Sequence, residues 1–204
     1  MRNLYCIDPG HGGMIDGKYE TFPDKMFAFE DGTVIYEGER NRTLRDFVME
    51  IGDIEGLWMY DTTGGSNLDI PLATRVKVAN DLNDRYHNVV FLSLHMNAGG
   101  GNGTEVFTSP GQTASDHHAS LLIDTLEEDI EDLVIRSDFL SDGDCDKEER
   151  FYVLVKTTCP SILLEVNFMD TIHTARLLLD DDYLFEVAKS IVRYMKRAEE
   201  IELW

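Results

Sequence analysis

Three short segments of the chain place a histidine or a carboxylate at the end of a predicted strand. In residues 8–13 (DPGHGG) His11 lies among glycines, and in residues 93–98 (SLHMNA) His95 ends an apolar run. The third segment holds Glu165 between apolar neighbours. Sites in open α/β sheets gather beyond the carboxyl ends of the strands, so these side chains are candidates for one centre. Histidine and carboxylate are the groups that hold a catalytic zinc ion and transfer protons in hydrolysis.

Each of these residues also has a simpler interpretation. His11 is typical of a polar turn, and His95 is typical of a hydrogen-bonded histidine in a core. Glu165 is harder to explain in this way, because a carboxylate among apolar side chains carries a desolvation cost unless it is paired. Such surroundings raise the pKa of a carboxyl group and suit a general base or a general acid.

The elements that would position these residues alternate between strands and helices. Apolar runs predict strands at residues 3–7, 57–60, 89–94, 105–108, 151–155 and 162–166. Helical spacing of apolar residues predicts helices at residues 41–51, 72–82, 119–130 and 183–198. Residues 11–33 lack a clear period and predict a long loop. The order predicts a single α/β domain over residues 1–204, with a twisted, mainly parallel sheet of about six strands and helices on both faces.

The composition excludes several classes of partner. The 204 residues carry a formal net charge of −21, with 18 Lys and Arg against 39 Asp and Glu. Binding to phosphates or to an anionic membrane surface needs cations, so we expect no nucleic-acid partner and no membrane docking. No segment approaches the ~18 apolar residues that span a bilayer, so we expect no membrane insertion. The N-terminus reaches an acid and a Pro-Gly turn too early for a signal peptide, which predicts cytoplasmic synthesis without an export signal.

Three further features have plain interpretations. The three cysteines are odd in number and lack C-x-x-C spacing, which predicts reduced thiols. Residues 137–149 alternate acids at 142, 144 and 146 as a calcium loop does, but Lys147 replaces the required glycine and Val153 replaces the last acidic ligand. A solvated acidic loop is the favoured interpretation. The adjacent His117 and His118 predict a solvated surface, because neighbouring side chains diverge.

Five pieces of the sequence, taken in order, resemble the zinc-dependent N-acetylmuramoyl-L-alanine amidases of the Amidase_3 type, which occur in bacterial autolysins and phage endolysins. The matching pieces are residues 8–13, 36–41 (YEGERN), 72–80 (LATRVKVAN), 93–98 and 163–168 (LLEVNF). The resemblance implies a peptidoglycan hydrolase that cleaves the amide between N-acetylmuramic acid and the L-alanine of the stem peptide.

Carried over residue by residue, the resemblance implies one zinc ion held by His11, Glu37 and His95, with Glu165 as the catalytic carboxylate. Two imidazoles and one carboxylate leave a fourth tetrahedral position for water, as catalytic zinc sites require. Glu39 remains an alternative ligand. Residues two apart share a face on a strand but not on a helix, and the start of the helix is not fixed by the sequence.

Two further residues are candidates for contact with substrate, of which Arg75 matches a family position. Arg75 is expected to bind a substrate carboxylate, with an exposed helical arginine as the alternative, and Asn97 to orient a ligand or contact substrate. The absence of an export signal fits a phage or prophage lysin that acts on the cell wall, and it fits equally a domain that reaches the wall with a partner. Two rival functions stay open: another mononuclear zinc peptidase or deacylase on the same fold, and a catalytically silent wall-binding module.

Overall fold

Strands and helices alternate along the chain in the computed structural model, which describes residues 2–19, 21, 25–139 and 143–201. The strands are β1 (Leu4–Pro9), β2 (Met14–Ile15), β3 (Lys18–Tyr19), β4 (Met26–Ala28), β5 (Val34–Tyr36), β6 (Trp58–Asp61), β7 (Val89–Asn97), β8 (Glu105–Thr108), β9 (Lys147–Glu148) and β10 (Ser161–Phe168). The helices are α1 (Glu37–Ile54), α2 (Leu72–Tyr86), α3 (Ala114–Asp129), α4 (Tyr152–Lys156), α5 (Ile172–Leu179) and α6 (Asp181–Glu200).

A six-stranded sheet forms the centre, in the order β6-β1-β7-β10-β8-β9. Strands β6, β1, β7 and β10 run parallel to their neighbours, and β8 runs antiparallel to β10. The apolar run of β7 is buried on both sides, as expected for a central strand of a parallel sheet. The predicted α/β fold, with a mainly parallel sheet of about six strands, is therefore confirmed.

Helices cover both faces of this sheet. A larger apolar core packs α1, α3 and α6 against one face, and Leu44, Leu122 and Ile191 are completely buried in it. A smaller core on the other face packs Val76 of α2 and Val153 of α4 against the strands. Burying a side chain of this size contributes about 1.5–3 kcal/mol, so the two cores fix the sheet between its helix layers.

Side-chain alternation carries polar residues to one end of the face that the smaller core covers. Phe91 of β7 and Leu163 of β10 belong to the smaller core. His95 lies four residues beyond Phe91, and Glu165 lies two residues beyond Leu163, so both share that face. The two strands are parallel and pair His95 with Glu165. The sheet therefore places a histidine and a carboxylate side by side at its carboxyl edge.

Several predicted elements differ from the structure. The strand predicted at residues 151–155 is wrong, because this segment forms the single-turn helix α4. Its burial does not alternate: Val153 and Leu154 are buried while Tyr152 and Val155 are exposed. The segment at residues 11–33, predicted as a loop, contains the hairpin β2–β3 and strand β4. Strand β4 pairs with β5 to form a second hairpin. Helix α1 begins four residues before the predicted start, and α5 has no predicted counterpart.

The remaining sequence expectations have mixed outcomes. The three cysteines are free, and two of them, Cys6 and Cys159, are buried. His118 is completely buried, where its Nδ1 lies 2.8 Å from the Tyr194 hydroxyl, so a solvated surface is wrong for this residue. Asp142 of the acidic segment lies outside the described residues. Within the described ranges, no helix is both long enough and apolar enough to cross a membrane.

Candidate active site

Three side chains from separate elements meet beyond the carboxyl edge of the sheet. Glu37 Oε1 lies 3.1 Å from His11 Nε2 and 2.9 Å from His95 Nδ1. The two imidazole rings are 4.9 Å apart between centroids and nearly perpendicular. One ligand atom from each residue lies within 4.8 Å of the others, and no other such group occurs in the described part of the chain.

Glu37 reaches this position because it is the first residue of α1. Its side chain is 2% exposed, whereas Glu39 points to solvent. The Glu37 backbone N–H donates to the Lys25 carbonyl at 2.9 Å, which fixes the start of the helix beside the second hairpin. A carboxylate is also favourable at a helix N-terminus, where backbone N–H groups are unpaired. Of the two acids that the sequence left open, the fold brings Glu37 to the histidines.

His11 is held by an unusual backbone and by a close approach of neighbouring segments. It has φ of 61°, a left-handed conformation that is uncommon for a residue with a side chain. At Gly10 a Cβ atom would collide with the imidazole of His95, and at Gly38 it would collide with the carbonyl of Gly12. Glycine at these two positions therefore lets the β1 end and the α1 start pack closely around the histidines.

Arg75 is buried, so the alternative of an exposed helical arginine is wrong, while its predicted contact with a substrate carboxylate stays a prediction. Its side chain is 1% exposed. Its Nε donates to the Ile70 carbonyl at 2.7 Å, and its Nη1 donates to Asp8 Oδ1 at 3.0 Å and to the Pro9 carbonyl. Its Nη2 donates to the His11 carbonyl at 2.9 Å. The guanidinium thus satisfies buried acceptors and holds the loop that carries His11.

Asn97 lies two residues beyond His95 and is held from the side of β8. Its Nδ2 donates to Glu105 Oε2 at 2.6 Å, and its Oδ1 accepts from the backbone N–H of Ala98 at 2.8 Å. Glu105 is buried and also accepts from Arg136 and Lys147. A role for Asn97 in substrate contact stays a prediction, and its orientation is set by Glu105.

The pKa values of the three converging residues are shifted by burial and by their contacts with one another. Burial alone would raise the pKa of Glu37, but hydrogen bonds from the two histidines outweigh burial and lower it. Burial lowers the pKa of His11 despite the opposing effect of Glu37. For His95 burial acts in the same direction, but the hydrogen bond to Glu37 and the charges of Glu165 and Asp8 outweigh it and raise the pKa. Glu37 is therefore an anion that is hydrogen-bonded to both imidazoles.

Glu165 differs from Glu37 because no histidine among the described residues makes a hydrogen bond to its carboxyl group. In the sheet it is paired with His95 on one side and with Glu105 on the other. Its Oε2 is buried and has no hydrogen-bond partner among the described residues. Burial raises its pKa to about 8, the charge of Glu37 adds to this effect, and His95 opposes it. A carboxyl group with this pKa is well placed to exchange a proton near neutral pH.

The donor set fits a zinc ion. Two imidazoles and one carboxylate are the ligands of a catalytic zinc site with one open position. A cation already lies at the edge of this space, since Lys25 Nζ is 3.8 Å from Glu37 Oε2. The Lys25 ammonium group therefore approaches Glu37 from the side of the second hairpin.

Three residues near the site were not found by sequence reasoning. Lys25 lies in a segment without periodicity, so no signal pointed to it. Glu105 did carry a signal, because it opens the apolar strand β8 in the same way that Glu165 interrupts β10. Arg136 could not be connected to Glu105 without the fold, since 31 residues separate them.

Comparison with known proteins gives a family match over nearly the whole chain. The model of the Amidase_3 family, described as N-acetylmuramoyl-L-alanine amidase, matches residues 6–197. The chain is 29% identical over 193 residues to the N-acetylmuramoyl-L-alanine amidase CwlM of Bacillus licheniformis, covering 94% of this chain and 67% of that protein. It thus spans about two thirds of the length of this relative.

Solved structures with the same architecture cover the chain from end to end. The catalytic domain of CwlV, an amidase of Bacillus (Paenibacillus) polymyxa var. colistinus, matches with a TM-score of 0.70 and 25% identity over 100% of both chains. The N-acetylmuramoyl-L-alanine amidase of Clostridium difficile 630 matches with a TM-score of 0.79 and 21% identity, covering 98% of this chain and 97% of that one. At 21% identity the second likeness concerns the fold alone.

Proposed function

The chain belongs to the Amidase_3 family of N-acetylmuramoyl-L-alanine amidases, and on this premise we propose that it hydrolyses the amide between N-acetylmuramic acid and L-alanine in peptidoglycan with one zinc ion as cofactor. The proposed ligands are His11, Glu37 and His95, and the proposed catalytic carboxylate is Glu165. One observation carries this assignment: three metal-type ligand atoms converge beside a buried carboxyl group that has no partner of its own at Oε2.

When bound, zinc would supply a Lewis acid that polarises the amide carbonyl and lowers the pKa of a coordinated water towards about 7. The residues of the chain prepare for this role. The lowered pKa of Glu37 keeps its carboxylate charged, and the lowered pKa of His11 keeps its imidazole neutral and able to donate a lone pair. Hydrogen bonds from Arg75 to the backbone around His11 keep that ligand in place.

Glu165 has the proton-transfer role in this proposal. As a carboxylate it accepts a proton from the attacking water, and as a carboxylic acid it returns that proton to the nitrogen of the departing L-alanine. Its raised pKa favours the protonated form, and a dication at the neighbouring ligands favours the carboxylate. The two influences together suit a group that must exist in both forms during one turnover.

Digestion of purified sacculi tests the proposal. We expect new free amino groups on L-alanine and glycan strands free of peptide, with activity lost after treatment with a chelator and restored by zinc. Cleavage at another amide would favour the rival peptidase or deacylase on the same fold. Binding to sacculi without any release of peptide would favour the silent wall-binding module and would contradict the proposal.

A further inference from the structure

An arginine is fixed in place on the β8 side of the catalytic carboxylate. Arg136 Nε donates to Glu105 Oε1 at 2.8 Å, and the guanidinium carbon lies 5.1 Å from the centre of the Phe168 ring. The backbone N–H of Arg136 donates to the Thr104 carbonyl at 2.9 Å. The side chain is nevertheless 42% exposed. The backbone N–H and the Nε of Arg136 are therefore held, while part of its side chain is exposed to solvent.

This arginine lies close to the proposed reaction centre. Its partner Glu105 is paired directly with Glu165 in the antiparallel ladder between β8 and β10. Side chains opposite each other on neighbouring strands lie on the same face, and their Cβ atoms are about 4.5–5.5 Å apart. Arg136 thus contacts the side chain next to the proposed catalytic carboxylate.

The outer edge of the guanidinium, formed by Nη1 and Nη2, has N–H donors that are not used by the described residues. Neither Nη1 nor Nη2 donates a hydrogen bond to any described residue. A guanidinium fork of this kind matches a carboxylate, which it binds through two parallel hydrogen bonds. The Phe168 ring and Glu105 hold the plane of the fork, so little side-chain entropy would be lost on binding.

The local charge also favours an anion. The single carboxylate of Glu105 is paired with two cations, Arg136 at 2.8 Å and Lys147 at 2.7 Å. Its other oxygen accepts from the neutral amide of Asn97. These three charged side chains therefore carry one net positive charge, in a chain whose formal net charge is −21. A surplus cation beside the proposed catalytic centre marks a place where an acidic group of a ligand would be stabilised.

We propose that Arg136 determines specificity by binding a carboxylate of the stem peptide close to the scissile amide, so that an acidic stem is preferred over an amidated one. This inference rests on the proposed amidase function. The chemistry that Arg136 would recognise is a carboxylate on the residue that follows L-alanine, since a primary amide at that place has no charge to pair with the guanidinium.

A pair of ligands that differ in this one group tests the proposal. The γ-methyl ester of N-acetylmuramoyl-L-alanyl-D-glutamate, whose only carboxylate on the second residue is the α-carboxylate, is compared with its α-amide for wild type and for Arg136→Gln. We expect wild type to hydrolyse the acid with a kcat/KM about tenfold higher than the amide. Arg136→Gln should lose this preference by a lower kcat/KM on the acid, with the value on the amide unchanged. Arg193→Gln is the matched control, because Arg193 is similarly exposed and ion-paired but lies on α6.

Binding of the two ligands to zinc-loaded Glu165→Gln, measured by calorimetry, separates this inference from the function on which it rests. A preference for the acid in Glu165→Gln that disappears in the double variant with Arg136→Gln supports the role of Arg136, even where wild type hydrolyses neither ligand. Equal binding of acid and amide would overturn it, as would an equal loss of kcat/KM on both ligands in Arg136→Gln.

Discussion

Two regions of the molecule bury carboxyl groups and displace their pKa values in opposite directions. In the candidate active site, hydrogen bonds from His11 and His95 lower the pKa of Glu37 against the effect of burial. In the acidic segment, Asp146 is completely buried, and burial together with the charges of Asp144 and Asp116 raises its pKa to about 7. A buried acid is thus stabilised as an anion in one region and as a neutral group in the other.

The difference lies in the partners that the fold supplies. Glu37 meets two imidazole nitrogens, which can share a metal ion with it. Asp146 accepts a hydrogen bond from the Thr108 hydroxyl at 2.7 Å and otherwise has acids nearby. The sequence favoured a solvated loop here, and burial of Asp146 corrects that interpretation. A high density of acids does not by itself build a metal site; ligands from separate elements must converge.

The largest expected effect concerns Glu165, the carboxyl group of the active site that has no imidazole hydrogen bond. Glu165→Gln removes the proton acceptor but leaves the three converging ligands in place. We expect kcat to fall about a thousandfold, while the zinc content of the purified protein stays at that of wild type. Loss of zinc from Glu165→Gln would show that Glu165 belongs with the ligands, and unchanged kcat would remove it from the reaction.

The next largest effect concerns the contribution of the acidic segment to the free energy of unfolding of the protein. Because the pKa of Asp146 is raised to about 7 in the folded state, the folded protein binds a proton there that the unfolded chain releases near pH 4. The contribution of protonated Asp146 is fully present at low pH and is lost as the pH rises through about 7.

Asp146→Asn, which imitates the protonated form, should remove this dependence. Urea unfolding at pH 5 and pH 8 measures this dependence. We expect the free energy of unfolding of the variant, relative to that of wild type, to rise by about 2 kcal/mol from pH 5 to pH 8. Thr108 keeps an acceptor in the asparagine oxygen, so the comparison isolates the charge. An equal difference between variant and wild type at both pH values would contradict the expectation.

The smallest effect concerns the cation beside Glu37. Lys25 Nζ lies 3.8 Å from Glu37 Oε2, and its side chain is 41% exposed. A dication held by Glu37 would repel this ammonium group, so Lys25→Met should tighten zinc binding by about threefold at low salt. Competition with a chromophoric chelator measures the change. Lys77→Met, on the exposed side of α2, serves as the control, and weaker zinc binding in Lys25→Met would show that Lys25 supports the site.

Much of the fold and part of the site could be predicted from the sequence. Continuous apolar runs gave the central strands, because a strand covered on both faces needs apolar side chains throughout. The same reasoning identified Glu165, since an acid in such a run has a desolvation cost to explain. His95 followed from its place at the end of β7.

The rest depended on tertiary contacts that no local pattern records. Helix α1 begins on Glu37 because the second hairpin and the Lys25 carbonyl hold its first turn, and the polar residues there have no apolar period. Arg75 looks like an exposed helical arginine until Asp8 and three backbone carbonyls are brought around it. The apolar run that contains Val153 and Leu154 is typical of a strand, but a single helical turn buries both residues against the smaller core.

The zinc content of Glu37→Gln, measured per chain after dialysis and beside Glu39→Gln, tests the central claim most directly. The two variants remove the same charge from the first turn of α1, two residues apart, so any difference reports on the ligand alone. Convergence of Glu37 with His11 and His95 predicts that Glu37→Gln loses most of its zinc while Glu39→Gln retains one ion per chain. Full zinc retention in Glu37→Gln would contradict the account.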